Sequence, residues 1–161
     1  MSRSLADLRE PFRTKAAAFL EALNSDSRLK SLFVNRFLIV ETIRDLDTQL
    51  AYGSRLMAKY AASEYRIMAV EFVQLMYRRA GLYAIGEKEA LTPNTWTLKS
   101  KHLEGLAIDV APSRDGKNFW WAPPSWPGWE IMAEIAVRHG IEPGSRWKGR
   151  KDCPHFEERA A

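Results

Sequence analysis

Hydrophobic positions near the start of the chain recur at steps of three and four residues. This period is that of an amphipathic helix, and we predict one over about residues 5–23. Pro11 falls inside the segment, and because proline fits the first turn of a helix, the helix has a natural point of restart there. The apolar positions that define the pattern are Leu5, Leu8, Phe12, Ala16, Phe19 and Leu23.

Two later segments also have helical spacing, and each ends at a glycine. Val70, Val73 and Tyr77 share one face of a predicted helix that Gly81 ends. The segment GWEIMAEIAVRHG, residues 128–140, places its apolar residues on one face and closes with its own glycine. Both segments predict helices that pack one side on a core.

Three short apolar runs predict strands. They are FLIVET (37–42), LAIDVAP (106–112) and PHFE (154–157). The segment IRDLDTQLAYGSR (43–55) has helical spacing, so the first strand leads directly to Arg44 at a helix start. Because strands and helices follow one another without regular strand-helix-strand units, we predict an α+β fold in which helices flank a small antiparallel sheet.

Length and composition favour a single domain. The chain has 161 residues, of which 46% are hydrophobic, and it contains no internal repeat or linker-like tract. A chain of this size can bury an ordinary core. We therefore predict one domain over residues 1–161.

The net charge indicates what kind of partner the protein binds, and the cysteine content indicates the redox state of the compartment in which it folds. Lys and Arg number 24 against 20 Asp and Glu, a formal net charge of +4, which suits a polyanionic partner or substrate. The single cysteine, Cys153, excludes an internal disulfide and fits a reducing compartment. The start MSRSLADLREPF lacks the apolar core of a signal peptide, and no segment approaches a membrane span. We expect a soluble protein that is made in the cytoplasm and has no stable membrane insertion.

The three histidines have different settings. His139 lies at the predicted end of a helix, where an imidazole can bond the last carbonyls, so we predict a structural role for it. His102 and Asp109 lie seven positions apart in SKHLEGLAIDV. Asp109 falls in an apolar strand, where burying its carboxylate without a partner is costly, so we expect a cation beside it. With His155 these two residues would form a zinc ligand set that keeps its fourth position open. A hydrogen-bonded His and Asp in the core explains the spacing equally well.

Three motifs resemble the LAS-type zinc metallopeptidases, which are D-alanyl-D-alanine carboxypeptidases, dipeptidases and phage L-alanyl-D-glutamate endopeptidases. SKHLEGLAIDV fills every position of their Ser-x-His-x-x-Gly-x-Ala-x-Asp-Val motif. KDCPHFE resembles their second block, an acidic residue three positions before the last zinc histidine, followed by Phe-Glu. ETIRDLDTQLAYGSR resembles their first block, with Ser54 interrupting the usual Gly-Arg pair, and Gly144 and Ser145 stand where many relatives have paired glycines. The resemblance covers about residues 36–157, which we predict to be the catalytic region.

The resemblance implies one Zn²⁺ per chain, held by His102, Asp109 and His155. Zinc lowers the pKa of a bound water from about 15.7 toward roughly 7, which supplies hydroxide at neutral pH. Asp152 matches the acidic residue that accepts the proton of the water and later passes a proton to the leaving amine. In an extended chain its side chain would point away, so a turn at residues 153–154 must bring it back. The alternative for Asp152 is a hydrogen bond that orients a zinc ligand.

Four further residues match positions that contact the substrate or support the site. Arg44 matches the arginine that binds the substrate and stabilises negative charge in the transition state; the alternative is a surface arginine at a helix start. Ser100 is predicted to bind substrate or to fix its loop. Gln49 is predicted to orient Arg44 or the zinc ligands, and Trp147 to line the substrate groove.

Two competing interpretations remain. Cys153 lies two residues from His155 and suggests thiol catalysis, but that chemistry leaves His102 and Asp109 without a purpose. A non-catalytic, zinc-containing module that binds cell wall or nucleic acid would explain the basic charge and the tryptophans. The acidic side chain of Asp152 argues against it, because a site without catalysis needs no proton shuttle.

The sequence thus predicts a zinc peptidase that hydrolyses peptide bonds of bacterial peptidoglycan stem peptides. Both the L-alanyl-D-glutamate endopeptidase and the D-alanyl-D-alanine carboxypeptidase types are compatible with the motifs. Residues 77–102 and 116–149, which lie between the motifs, resemble the intervening regions of prophage members. This likeness implies an endolysin that is made in the cytoplasm and acts on the wall after release by a separate holin-type protein. We expect a monomer that does not bind nucleic acid.

Overall fold

The computed structural model describes residues 2–95 and 97–159. The fold is α+β, as predicted, with six α-helices and one four-stranded sheet among the described residues. The helices are α1 (Phe12–Ser25), α2 (Ser27–Ser31), α3 (Leu46–Lys59), α4 (Arg66–Arg79), α5 (Glu87–Ala90) and α6 (Gly128–Arg138). The strands are β1 (Arg36–Glu41), β2 (Ala107–Ser113), β3 (Ile141–Pro143) and β4 (His155–Glu158).

The strands pair antiparallel in the order β1-β2-β4-β3. The apolar runs of the sequence predict β1, β2 and β4. Strand β3 has only three residues and ends in a proline, which is too short a segment to show a period. Where β2 pairs with β4, Asp109 lies opposite His155, so the sheet itself brings two of the predicted zinc ligands side by side.

Predicted helix ends coincide with glycines that adopt a left-handed backbone. Gly81 has φ 66° and Gly140 has φ 69°, a region that costs glycine little and other residues more. Residues 5–23 do not form one continuous helix. A 3-10 turn at Leu5–Asp7 precedes α1, which begins directly after Pro11, the predicted restart point.

The chain divides into two compact units, Met1–Ile43 with Glu104–Ala161 and Arg44–Leu103. The first unit contains the sheet with α1, α2 and α6. Rings of Phe19 on α1 and Phe156 on β4 lie 4.7 Å apart between centroids, which ties the first long helix to the sheet. Other fully buried members of this core are Phe12, Leu23, Ile108, Met132 and Ile141.

The second unit is a hairpin of α3 and α4 followed by α5. Its small core consists of Ala51, Ala58, Val70, Val73, Tyr77, Ile85 and Ala90. The buried guanidinium of Arg55 donates to the Tyr77 hydroxyl at 2.9 Å and to the Thr92 carbonyl at 2.7 Å, which satisfies the polar groups at the edge of this core. That both units act as one peptidase domain stays a prediction.

No helix within the described ranges combines the length and the apolar character that crossing a bilayer requires.

Candidate metal centre

Strands β2 and β4 hold Asp109 and His155 in direct contact. His155 Nδ1 lies 3.1 Å from Asp109 Oδ1. The His155 side chain is buried and that of Asp109 is largely buried, so this pair is shielded from bulk water. The pairing of β2 with β4 fixes the backbone positions of both residues, so only their side-chain rotamers determine the distance between the imidazole and the carboxylate.

Glu157 holds the other nitrogen of the same imidazole. Its Oε2 lies 3.0 Å from His155 Nε2, because residues two apart on a strand point to the same face. Burial alone lowers the pKa of His155, but the hydrogen bonds with the Asp109 and Glu157 carboxylates outweigh burial and raise that pKa to about 9. We did not predict this role of Glu157, although the two-residue period of the strand indicates it.

His102 is held by the turn that precedes β2. It lies in a 3-10 turn at Lys101–Glu104 and is 1% exposed. The His102 N–H donates to Ser100 Oγ at 3.3 Å, so Ser100 fixes the loop, one of its two predicted roles. The His102 carbonyl accepts a hydrogen bond from the Arg44 N–H at 3.2 Å. Backbone contacts on both sides therefore position this histidine.

The structure brings the three predicted ligands together. His102, Asp109 and His155 each offer one donor atom, and these atoms lie within 4.8 Å of one another. The donor set fits a divalent zinc ion, which favours imidazole nitrogen and carboxylate oxygen. A metal ion at Nδ1 would displace the proton that the raised pKa favours, and His155 would still donate from Nε2 to Glu157, the usual arrangement of a carboxylate behind a metal-binding histidine. His139 is not a member of this group.

A turn immediately before β4 places Asp152. The His155 N–H donates to the Asp152 carbonyl at 3.2 Å, which closes the predicted turn at residues 153–154. The Asp152 side chain is exposed, and its negative charge contributes to the raised pKa of His155. The carboxylate is therefore accessible to solvent and near enough to the imidazole to act on it electrostatically.

Gly144 anchors this turn from behind. Its carbonyl accepts a hydrogen bond from the Asp152 N–H at 3.0 Å. A Cβ at position 144 would lie 2.4 Å from the Asp152 carbonyl oxygen and 3.2 Å from His155 Cβ. Only glycine allows the two segments to approach so closely, whereas Ser145 next to it is accommodated with its side chain buried.

Trp147 packs against the imidazole of His155. Their ring centroids lie 5.0 Å apart with an interplanar angle of 50°. The Trp147 indole N–H donates to Glu142 Oε1 at 3.1 Å, which fixes the orientation of the ring. Trp147 therefore forms a wall beside His155; whether it contacts substrate stays a prediction.

Arg44 and Gln49 form a connected polar pair in the second unit. The Arg44 guanidinium donates to Gln49 Oε1 at 2.7 Å and lies over the ring of Tyr52, 5.0 Å from its centroid. The fully buried Gln49 amide in turn donates to the Thr97 carbonyl at 2.6 Å. Gln49 thus holds the Arg44 guanidinium, and Tyr52 is a further contact that the sequence did not indicate; the substrate-binding roles of Arg44 and Gln49 stay predictions.

Cys153 is poorly suited to nucleophilic catalysis. Burial, with a smaller contribution from the charge of Asp152, raises the pKa of its thiol above the usual range. Because the thiolate is the nucleophilic form, a raised pKa lowers the reactive fraction at neutral pH. The setting of the thiol disfavours the cysteine interpretation.

Comparison with known proteins gives two findings. Residues 93–158 match the M15-type peptidase family model that is described as D-alanyl-D-alanine carboxypeptidase. The crystal structure of the Serratia marcescens L-Ala D-Glu endopeptidase ChiX is similar, with a TM-score of 0.51 and 20% sequence identity over 98% of this chain and 87% of that chain. At this identity the structural likeness shows the fold. Together the two comparisons support a peptidase of the M15 type and confirm the resemblance seen in the motifs.

Proposed function

We propose that the protein is a zinc-dependent peptidase that hydrolyses peptide bonds in the stem peptides of bacterial peptidoglycan. One observation carries the proposal: the donor atoms of His102, Asp109 and His155 converge within 4.8 Å. All three residues, together with Asp152, stand in motif positions within the segment 93–158 that matches the peptidase family. The fold is similar to that of the Serratia marcescens L-Ala D-Glu endopeptidase ChiX, which supports the same class of reaction.

The donors of the site suit one zinc ion per chain. Two imidazoles and one carboxylate leave a fourth position open, which distinguishes catalytic zinc sites from closed structural ones. When bound, zinc supplies a water of lowered pKa and polarises the carbonyl of the substrate. Glu157 and Trp147 hold His155 from two sides, so this ligand is oriented before a metal arrives.

Asp152 is the proposed proton carrier. Its exposed carboxylate accepts a proton from the attacking water and returns a proton to the nitrogen of the departing amine. The turn that Gly144 holds keeps Asp152 next to the first residue of β4. This placement favours catalysis over a purely structural metal site.

Arg44 is the proposed anion-stabilising group. A guanidinium held by Gln49 and Tyr52 presents a fixed fork of donors, which suits the carboxylate of a stem peptide or the negative charge of the transition state. In this proposal Ser100 contributes by fixing the loop of His102.

The matched family and the similar structure are named for different bonds of the stem peptide, D-alanyl-D-alanine and L-Ala D-Glu. Both bonds lie in one anionic polymer, which the formal net charge of +4 favours as a partner. We propose further that the protein is a phage or prophage endolysin. It would be made in the cytoplasm and would reach the wall with the help of a separate holin-type protein.

Metal analysis of matched variants tests the proposal. We expect one zinc per chain by elemental analysis, full retention in His139→Ala, and loss of zinc in His102→Ala. Loss of wall turbidity should follow the zinc content and return when a chelated sample is resupplied. Full zinc in His102→Ala would refute the ligand assignment, and zinc without any hydrolysis would favour a binding module.

A further inference from the structure

Strand β1 lies at one edge of the sheet. Within the described residues, the order β1-β2-β4-β3 gives β1 a single neighbouring strand, with which it pairs antiparallel. The outer side of an edge strand presents unpaired backbone N–H and C=O groups unless another segment covers them. What covers this side of β1 therefore decides what the strand can bind.

Phe37 and Ile39 turn their backbone groups to the outer side of β1. The Phe37 N–H donates to Asn24 Oδ1 at 3.0 Å, so the backbone of Phe37 faces away from β2. Ile39 lies opposite Val110, whose own N–H donates to the Pro154 carbonyl at 2.9 Å and so points away from β1. Because alternate residues of an antiparallel strand direct their N–H and C=O groups to the same side, the Phe37 carbonyl and both backbone groups of Ile39 face outward.

The two ends of this outer side are already closed. At one end the Asn24 side chain accepts the first N–H. At the other end the Thr42 N–H donates to the Ser2 carbonyl at 2.9 Å, and the Arg3 guanidinium donates to the Val40 carbonyl at 3.2 Å. Caps of this kind prevent a sheet from growing without limit. Between them lies a short stretch of strand edge that can pair with a segment of a few residues.

A groove, which we call the edge groove, lies beside this stretch. It has a volume of about 620 Å³, within the range of about 300–1,000 Å³ that is typical of ligand sites. Leu5 and Leu20 contribute apolar surface, and Lys117 and Phe119 line the groove from the loop after β2. Backbone hydrogen-bonding groups beside apolar surface are the combination with which proteins bind an extended peptide as an added strand.

The charges of the edge groove are positive. Its described lining residues include Arg3, Arg36 and Lys117 and no acidic residue. None of these three cations forms an ion pair in the described part of the chain. Asp115, in the same loop as Lys117, accepts hydrogen bonds from the backbone N–H groups of Lys117 and Asn118 at 2.9 and 2.8 Å and does not line the groove. Uncompensated positive charge in a groove attracts a partner that carries carboxylates.

We propose that the edge groove binds an extended, acidic segment of a partner protein as a fifth strand of the sheet. The bound segment exchanges hydrogen bonds with the backbone of Ile39 and donates one to the Phe37 carbonyl. Its carboxylates lie near Arg36 at one end of the edge and near Arg3 at the other.

The same features disfavour two other occupants. Pairing of two copies through this edge would bring the cations of both copies together, and like charges across a strand pair are destabilising. The D residues of peptidoglycan stem peptides favour the mirror image of the backbone that a strand of L residues requires. The edge groove shares no residue with the candidate metal centre, so the proposed binding is additional to hydrolysis.

Fluorescence anisotropy with the full chain tests the proposal. The probe is a labelled L-peptide in which Val-Thr-Val is flanked by two glutamates on each side, and we expect a micromolar dissociation constant. Arg36→Glu should raise this constant at least about 10-fold, because attraction at one end of the peptide becomes repulsion. Arg66→Glu, at an exposed position at the start of α4, changes the net charge equally and should bind as the wild type does. Thermal unfolding establishes that both variants are folded.

Two N-methylated forms of the same peptide test strand pairing independently of charge. Alternate N–H groups of a strand point to opposite sides, so methyl groups on one alternate set face β1 and those on the other set face solvent. We expect one form to bind at least about 10-fold more weakly and the other to bind as the unmodified peptide does.

Three results would overturn the proposal. The first is no binding of the unmodified peptide at roughly 1 mM. The second is an equal effect of the two methylated forms, because strand pairing requires them to differ. The third is equally tight binding of inorganic polyphosphate at the same site, because charge alone would then account for the binding.

Discussion

Gly144→Ala should impair catalysis without removing any catalytic side chain. The added Cβ would lie 2.4 Å from the Asp152 carbonyl oxygen, whereas real Cβ atoms essentially never approach closer than 3.0 Å. The obstacle is backbone, so it cannot rotate away as a flexible side chain would. The turn at residues 152–155 must therefore move by at least about 0.6 Å, the difference between these two distances.

The size of the effect follows from this displacement. The same turn carries both the proposed proton donor Asp152 and the proposed ligand His155. Misplacing catalytic groups by about 1 Å costs on the order of 10²-fold in rate, so we expect kcat/KM to fall about 30- to 100-fold. Overpacking at a buried glycine should also lower the free energy of unfolding by about 1–3 kcal/mol.

Hydrolysis of a synthetic stem peptide and thermal unfolding measure the two effects. Gly86→Ala is the matched control, because a Cβ there meets nothing within 4 Å and the backbone φ is ordinary for alanine. The control should retain wild-type activity. If Gly144→Ala kept wild-type activity and zinc affinity, the turn would not be held by this close approach, and our account of how Asp152 is placed would be wrong.

Three further predictions concern the proton carrier, the surface charge and acid stability. Asp152→Asn should keep zinc, measured by elemental analysis, while hydrolysis falls by about 10² to 10⁴-fold; weaker zinc binding that excess zinc corrects would instead mean that Asp152 orients a ligand. Hydrolysis of intact wall should fall with added salt more steeply than hydrolysis of a short peptide, because salt at 0.1 M screens electrostatic attraction beyond about 10 Å. Equal salt dependence for both substrates would show that the net charge of the protein does not attract it to the wall. Hydrogen bonds from the backbone of Asn118 and Lys117 hold the pKa of Asp115 well below its usual value, so this carboxylate stabilises the fold above pH ~4 and loses that effect as the pH falls further. Thermal unfolding should therefore show a lower Tm for Asp115→Asn at pH 7, with a difference that shrinks in acid; a constant difference would contradict this reasoning.

The sequence indicates those parts of the fold and site that depend on local pattern. Apolar runs locate β1, β2 and β4, and glycines locate the ends of α4 and α6. Spacing alone leaves His102 and Asp109 open to a purely structural explanation, whereas the resemblance of two motifs to the zinc metallopeptidases names the three residues whose donors converge. The turn before His155 is also predictable, because an extended chain would point Asp152 away from the imidazole.

Other features depend on contacts between distant segments, which no local pattern reveals. The clash that forbids a side chain at Gly144 involves a carbonyl eight residues later. Likewise, Tyr52 under the Arg44 guanidinium and Glu142 at the Trp147 indole are set by side-chain packing.

Mass spectrometry of the muropeptides released from purified cell wall tests the central claim most directly. The metal-free protein, the same protein resupplied with zinc, and zinc-loaded Asp152→Asn should be compared on one wall preparation. We predict that the zinc-loaded wild type releases fragments in which one peptide bond of the stem, L-alanyl-D-glutamate or D-alanyl-D-alanine, has been hydrolysed, that Asp152→Asn releases them about 10² to 10⁴-fold more slowly, and that the metal-free protein releases none. Equal release by the metal-free protein, or cleavage confined to the glycan strands, would contradict the account.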